Sequence, residues 1–530
     1  MSAIPRRSKD SLLLGIDLGT TVLKTCVFHQ RTGAVRAQSV QRLPVFEALG
    51  VGREQDMALV LRALRKSLRA LQQEVGPDWR RIAGIGVASQ GGSTLIVTRG
   101  GSPLSALILW NDGRAHTQGA RVREQLPPKF WKKLALREVA PAGIARLLWL
   151  QEFRPDLFTD ANLHAGAGDY LYFLLTGVWR QEAGSALQIG PYNARTGRLD
   201  ASPLQPWGIP LSFFPPLRQG HATEPLCGAG AALLGSPEGI PVAGPYIDQE
   251  AGYHSAAAST QAPLHLSLGT AWVGNFRIKQ SEAGYSPYQL VLPTETSEER
   301  LVIQPLLTGN VAWDWALRTC AGGCAENDLR KVEALLLQQP FSGRGLQVIP
   351  WMAQMNPFAA GAQGAGACSG LGVETTREDV LRATAAGMTF ELRRVFEPLR
   401  GSGLIRHVVL TGGASKGAHF RKLIASLLSP LPVSWQEDSD LAGARGALVA
   451  FDGKAAVGRL LPVVVTDAAF HDEVCVRYSE YLTFFNALYG RLPEGSPYVF
   501  KGDTNARNAK GRPATPLSRA VRPDTPQPAR

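Results

Sequence analysis

The chain has 530 residues, 45% hydrophobic and 19% charged, with a net charge of +12. That composition supports a large globular core of several domain-sized units, and every apolar run is broken short of the roughly 18 residues a membrane span needs. Six cysteines scattered from Cys26 to Cys475 make no disulfide framework, and seven of the twelve net charges fall in residues 1–10 and 501–530. The body is therefore only mildly basic, and neither nucleic acid nor membrane is an expected partner. The first ten residues lack an apolar signal core, so the expected location is cytoplasmic. The end of the chain, rich in Pro, Ala, Arg and Thr, reads as a disordered basic tail.

In chain order, the first informative run is Leu12–Lys24. An apolar strand ends at Asp17, Gly19-Thr20-Thr21 form a turn, and a second strand follows over 22–29. Such a turn is either an ordinary hairpin with a solvated acid, or a phosphate-binding turn whose acid holds Mg²⁺ through its waters. A turn at 30–33 leads to a third strand, Ala34–Val40, which predicts an antiparallel meander. Met57, Val60, Leu61, Leu64, Leu68 and Leu71 recur with helical period over 57–75. Strands are predicted at Ile82–Val87 and Thr94–Val97, and helices at 143–153 and 169–176. Cys320 and Cys324 stand at a spacing that would share a helix face. No second Cys or His pair has metal-site spacing, and the nine histidines form no close pair in sequence.

Near Pro241 a strand, Val242–Ile247, runs into Asp248-Gln249 and a helix to Ser259 that Asp248 is placed to cap. Leu264–Leu268, Gly269-Thr270 and a further strand then repeat the layout of 14–23, which predicts an internal duplication with one Gly-Thr turn per lobe. Strand 408–411, Gly412-Gly413-Ala414 and a helix through Leu428 follow. That turn is either a plain strand-to-helix junction or a shelf for a flat ligand. Neither a P-loop nor a dinucleotide-binding glycine pattern occurs in a strand-to-helix context.

Asp17-Leu18-Gly19-Thr20-Thr21 with Lys24, Gly269-Thr270, and Thr411-Gly412-Gly413-Ala414 together resemble the actin-like ATPase superfamily. Glu54-Gln55-Asp56, Gly86 to Gly91, Trp110 to Arg114, Asp169-Tyr170-Leu171, Gly244 to Asp248, and Gly443-Ala444 with Gly446-Ala447 narrow the resemblance to the FGGY carbohydrate kinases, over about residues 12–490. The resemblance implies an α/β, two-lobed, ribonuclease H-like fold with duplicated mixed-sheet domains and a cleft between them. The expected divisions are a flexible 1–10, a sugar-side lobe 11–247, a nucleotide-side lobe 248–492 and the tail 493–530.

The same resemblance implies phosphoryl transfer from ATP to a hydroxyl of a small sugar or polyol, with Asp248 as general base and Asp17 as the Mg²⁺-associated acid. Gly19, Thr20, Thr21, Lys24, Gly269, Thr270 and Gly309 would line the phosphates, and Gly412, Gly413 and Ala414 the adenosine. Gln90, Gly91, Gly92, Trp110, Asp112 and Gln249 are the substrate-side candidates, although simple core burial accounts equally for Trp110. Gly91-Gly92 stand where relatives place substrate-touching side chains, so the pocket is either wider or filled from another loop. Asp248-Gln249 matches the glycerol kinase pairing, while the rest reads closer to a ketose kinase of the xylulokinase type. Pro350–Pro357 departs from the Gly-Glu-Arg-x-Pro pattern of many relatives. The alternatives are a glycerol kinase-like polyol kinase and a non-catalytic sugar or nucleotide sensor on the same fold; a homodimer is compatible with either.

Overall fold

A computed structural model describes residues 11–489 except Leu49, 281–288, Ser297, Leu307, Cys324, 353–365 and Thr466. The first ten residues, the expected tail, and most of the Pro350–Pro357 segment lie outside the described residues.

The first sheet contains β1 (Leu12–Leu18), β2 (Val22–His29), β3 (Val35–Arg42), β4 (Ile82–Ser89), β5 (Thr223–Pro225) and β6 (Pro241–Ile247), in the order β5-β6-β4-β1-β2-β3. The expected meander is present: β1, β2 and β3 pair antiparallel in succession. Both β1 and β6 run parallel to β4. Parallel strands are covered on both faces, which is why β1 is buried along its whole length and reads as an unbroken apolar run up to its acid. Helix α1 (Met57–Val75) lays Val60, Leu64, Leu68 and Leu71 onto Leu14, Ile16 and Val27 of that sheet. Asp56 caps it by accepting a hydrogen bond from the Ala58 amide at 2.7 Å.

The second sheet comprises β7 (Pro263–Leu268), β8 (Trp272–Lys279), β9 (Leu290–Pro293), β10 (Glu299–Pro305), β11 (His407–Thr411), β12 (Val433–Gln436) and β13 (Leu460–Pro462), in the order β9-β10-β8-β7-β11-β12-β13. Its layout repeats the first. The antiparallel run β7-β8-β10 answers β1-β2-β3, parallel β11 answers β4, and β12-β13 answers β6-β5. Strand β9 is the addition. The duplication expected from two Gly-Thr turns is thus visible strand by strand.

Helix α2 (Asp248–Ser259) leaves the end of β6, α3 (Arg377–Arg400) and α4 (Ala418–Leu427) cover the second sheet, and α6 (Ala468–Tyr489) closes over α4. Between the last two, the short α5 (Ala442–Gly446) lies against α2. A Cβ at Gly446 would meet the Ala251 carbonyl oxygen at 1.6 Å, so only glycine permits this approach. A further core joins the lobes: Trp131, Ile144 and Leu187 from the segment between β4 and β5 pack with Leu290 and Ile303 of the second sheet.

Two sequence expectations need correction. Helix α2 begins at Asp248 itself with Ile247 as its cap residue, so Asp248 is not the cap; its Oδ1 accepts from the adjoining Gln249 amide at 2.8 Å. The reason is that β6 stays extended through Ile247 and turns only there. The helix Asn310–Cys320 stops at Cys320, before Gly322 at φ 87°, so no helix face continues toward Cys324, which lies outside the described residues. Among the described residues no helix is long and apolar enough to cross a membrane.

Candidate active site

The ends of β1, β6, β7 and β11 and the start of α5 surround a cleft of about 340 Å³ between the sheets. Parallel strands end on the same side, so a duplicated sheet brings both Gly-Thr turns and both following loops to one opening. Asp17, Gly19, Thr20, Thr21, Lys24, Gln90, Gly91, Trp110, Asp248, Gln249, Gly269, Thr270, Gly412 and Gly413 all line it.

Asp17 is the register partner of Lys24 across β1 and β2. Its carboxylate is buried, and Oδ1 has no hydrogen-bond partner. Burial pushes its pKa up, with Lys24 opposing. A Cβ at Gly443 would come within 2.5 Å of Asp17 Oδ2, so the glycine of α5 leaves that oxygen room. An unpartnered buried carboxylate oxygen beside a turn of hydroxyls and amides fits a hydrated Mg²⁺.

Asp248 is enclosed by protein except toward the cleft. Burial raises its pKa to about 7, and the charge of Asp17 adds to the rise; the Gln249 amide and Lys24 pull the other way. The two acids therefore titrate as a coupled pair. A carboxylate with a pKa near neutrality can accept a proton from a hydroxyl and release it again at neutral pH.

Two hydrogen-bond chains fix the walls. On the first-lobe side, Thr20 Oγ1 accepts from Trp110 Nε1 at 2.9 Å and donates to Gln90 Oε1 at 3.0 Å. Gln90 Nε2 donates to Gln55 Oε1 at 3.3 Å, and Gln55 Nε2 returns to the Thr20 carbonyl at 2.8 Å. On the second-lobe side, Asn275 Nδ2 lies 3.2 Å from Gln249 Oε1 and 2.9 Å from His265 Nδ1, and His265 Nε2 lies 2.7 Å from Thr411 Oγ1. Burial lowers the His265 pKa to about 3, so the ring is neutral. With Nδ1 accepting from Asn275, Nε2 carries the proton and donates to Thr411.

Four anticipated site residues do not line the cleft. Asp112 turns away: Oδ2 takes the Arg53 amide at 2.7 Å, and both oxygens bind Arg114. An ion pair buried this way positions the Trp110 loop and leaves no oxygen for a ligand. Gly92 lies behind Gly91 with φ 70°, and a Cβ there would meet Gln188 Oε1 at 2.4 Å. Gly309 backs the Gly269-Thr270 turn, where a Cβ would meet the Thr270 carbonyl oxygen at 2.3 Å. Ala414 is buried in the turn Gly413–Lys416.

Gln188, Asn111 and His265 line the cleft and were not anticipated. Gln188 settles the choice left by the glycine pair. Its amide occupies the space that side chains at 91 and 92 would fill, since a Cβ at Gly91 would also meet Gln188 Nε2 at 2.8 Å. The pocket is thus filled from the helix Ala183–Ile189 rather than widened. The sequence signal was the missing volume itself; nothing in the local pattern of 183–189 marks Gln188. Buried His265 and Gln55 stand as polar residues in otherwise apolar or helix-leading positions, a signal that was present.

Two family models cover most of this geometry: the N-terminal domain of the FGGY family of carbohydrate kinases matches residues 12–254, and its C-terminal domain matches 302–451. The chain belongs to the FGGY family of carbohydrate kinases. It is 24% identical over 442 residues to the xylulose kinase of Bacillus subtilis (strain 168), covering 83% of this chain and 88% of that one. It is 24% identical to the glycerol kinase of Alkalilimnicola ehrlichii, with 83% and 89% covered. Among solved structures, the xylulose kinase from Rhodospirillum rubrum superposes with a TM-score of 0.77 at 22% identity over 90% of this chain and 99% of that one. The fold is therefore the two-domain actin-like ATPase fold of this kinase family, and the protein is a carbohydrate kinase, a phosphotransferase that uses ATP.

Proposed function

We propose that this FGGY kinase phosphorylates a hydroxyl of a small, uncharged sugar or polyol, a ketose in the manner of a xylulose kinase, with Asp248 as general base. The observation that carries the reading is the Asp248 carboxylate, lining the same cleft as both Gly-Thr turns with its pKa raised to about 7. In the proposed reaction Asp248 accepts the proton of the substrate hydroxyl as its oxygen bonds to the γ-phosphorus of ATP. The bond to the β,γ-bridging oxygen breaks and ADP leaves. Gly19, Thr20, Thr21, Gly269 and Thr270 offer amides and hydroxyls to the phosphates, Lys24 supplies a cation, and Gly412-Gly413 form a flat shelf for the adenosine. Asp17 would hold Mg²⁺, whose contribution is neutralisation of phosphate charge.

The substrate side supports the uncharged class. Gln90, Gln188, Gln249, Trp110 and Asn111 present amides and an indole, whereas Lys24, beside the two acids, is the one Lys or Arg among the lining residues. Amide groups both donate to and accept from hydroxyls, and among the described lining residues no further cation stands to balance a sugar carboxylate.

Asp248→Asn tests the reading. ADP release with a turned-over sugar should fall by about 10²–10⁴-fold, the usual worth of a positioned base, while ATP affinity measured by calorimetry stays within a few-fold. Substantial turnover by the variant would remove Asp248 from the role of base.

A further inference from the structure

Outside the residues that line the cleft, the lobe junction gathers groups that phosphoryl transfer does not use. His221 precedes β5 on the first lobe, His254 lies on α2, and Glu295 lies in the hairpin loop between β9 and β10 of the second lobe. These come from three separate stretches of sequence, yet one ligand atom from each falls within 4.8 Å of the others. The His221 and His254 rings stand edge to face with centroids 5.1 Å apart. His254 is buried and its Nε2 has no hydrogen-bond partner.

We propose that His221, His254 and Glu295 form a binding site for a divalent transition-metal ion of the Zn²⁺ type, which ties the first lobe to the second-lobe hairpin. Two imidazoles and a carboxylate are a donor set suited to such an ion, and a water completes four-coordination. A tetrahedral ion with bonds of about 2.0–2.1 Å holds its ligands roughly 3.3 Å apart. His221 Nε2 and Glu295 Oε1 are already 2.9 Å apart, close enough to share one ion. The other His221 nitrogen, Nδ1, is 2.9 Å from Tyr246 Oη, the kind of outer partner that orients a ligating imidazole.

The surrounding charges suit a cation. Glu250 Oε1 stands 3.6 Å from His254 Nε2. Two cations lie nearby, Arg218 on Glu250 at 2.6 Å and Arg277 on Glu295 at 2.7 Å. Against them stand Glu250, Glu295 and Glu299, so the cluster retains a net negative charge before an ion enters.

The test uses the full-length protein stripped with a chelator and free of nucleotide. Equilibrium dialysis against ZnCl₂ should give one tightly held ion per chain, and Co²⁺ in its place should give the intense visible absorption of a four-coordinate site. His254→Ala and Glu295→Gln should each weaken binding by about tenfold or more. Glu295 is partly exposed in a hairpin, so its variant should fold even if the His254 variant does not. Asp17→Asn should bind Zn²⁺ as the unaltered protein does. Zn²⁺ should also raise the Tm of the unaltered protein, and raise that of Glu295→Gln by less at the same concentration. Absence of stoichiometric binding, retention of full affinity in Glu295→Gln, or loss in Asp17→Asn would each overturn the proposal. The last result would place the ion in the nucleotide cleft instead.

Discussion

Asp248 reaches the cleft because β6 ends at Ile247 and the chain turns into α2 there, which sets the carboxylate beside the buried Asp17. Two acids sharing a low-dielectric site give the proposed base a pKa matched to neutral operation. The base works ionised, so kcat/KM should fall with unit slope as pH drops below about 7 and level off above it, measured by coupled ADP release. The same shift carries a stability cost. The folded pKa lies above the unfolded value near 3.8, so folding takes up a proton, and stability is lost as pH rises between the two. Asp248→Asn should therefore raise the Tm at pH 8, with the difference closing by about pH 4; no gain at pH 8 would contradict the burial argument. Beside Gly91, Gln188→Ala should raise KM for the sugar several-fold and leave KM for ATP unchanged. Equal effects on both would mean that Gln188 only supports the fold.

At the scale of elements, the contact of α5 with α2 joins the lobes beside Asp17 and Asp248. Gly446 touches the Ala251 backbone and Gly443 faces the Asp17 carboxylate. Gly446→Ala should cost about 1–3 kcal/mol by overpacking and lower kcat more than it raises KM, since the displaced helix carries the proposed base. Urea unfolding paired with steady-state kinetics reads both. Leu68→Ala, by contrast, empties a site in α1 remote from the cleft, and should cost about 2–5 kcal/mol with kcat kept. Much of this level was legible in the sequence: the period of 57–75 marked α1 to the residue, and the two Gly-Thr turns marked the duplicated sheets. What was not legible depended on long-range contact. Asp112 looked like a ligand residue until Arg114 and Arg53 were seen to occupy it, and Gln188 had no local signature because its role is defined by two glycines nearly a hundred residues earlier.

At the scale of the whole molecule, duplication places two equivalent strand ends face to face and lets two short turns serve one ligand. The first-lobe wall, with its Gln55-Gln90-Thr20-Trp110 chain, and the second-lobe wall, with its Gln249-Asn275-His265-Thr411 chain, meet at the Asp17 and Asp248 pair. A substrate bridging those walls links the lobes, so sugar and ATP together should raise the Tm by more than the sum of each alone. The most direct measurement is ADP release by the purified enzyme with Mg²⁺-ATP across a panel of ketoses, polyols and sugar acids. At least one uncharged ketose or polyol should accelerate ADP release and be recovered as its monophosphate, while sugar acids such as gluconate should not. No acceleration by any uncharged member, or turnover confined to a sugar acid, would contradict the proposed function.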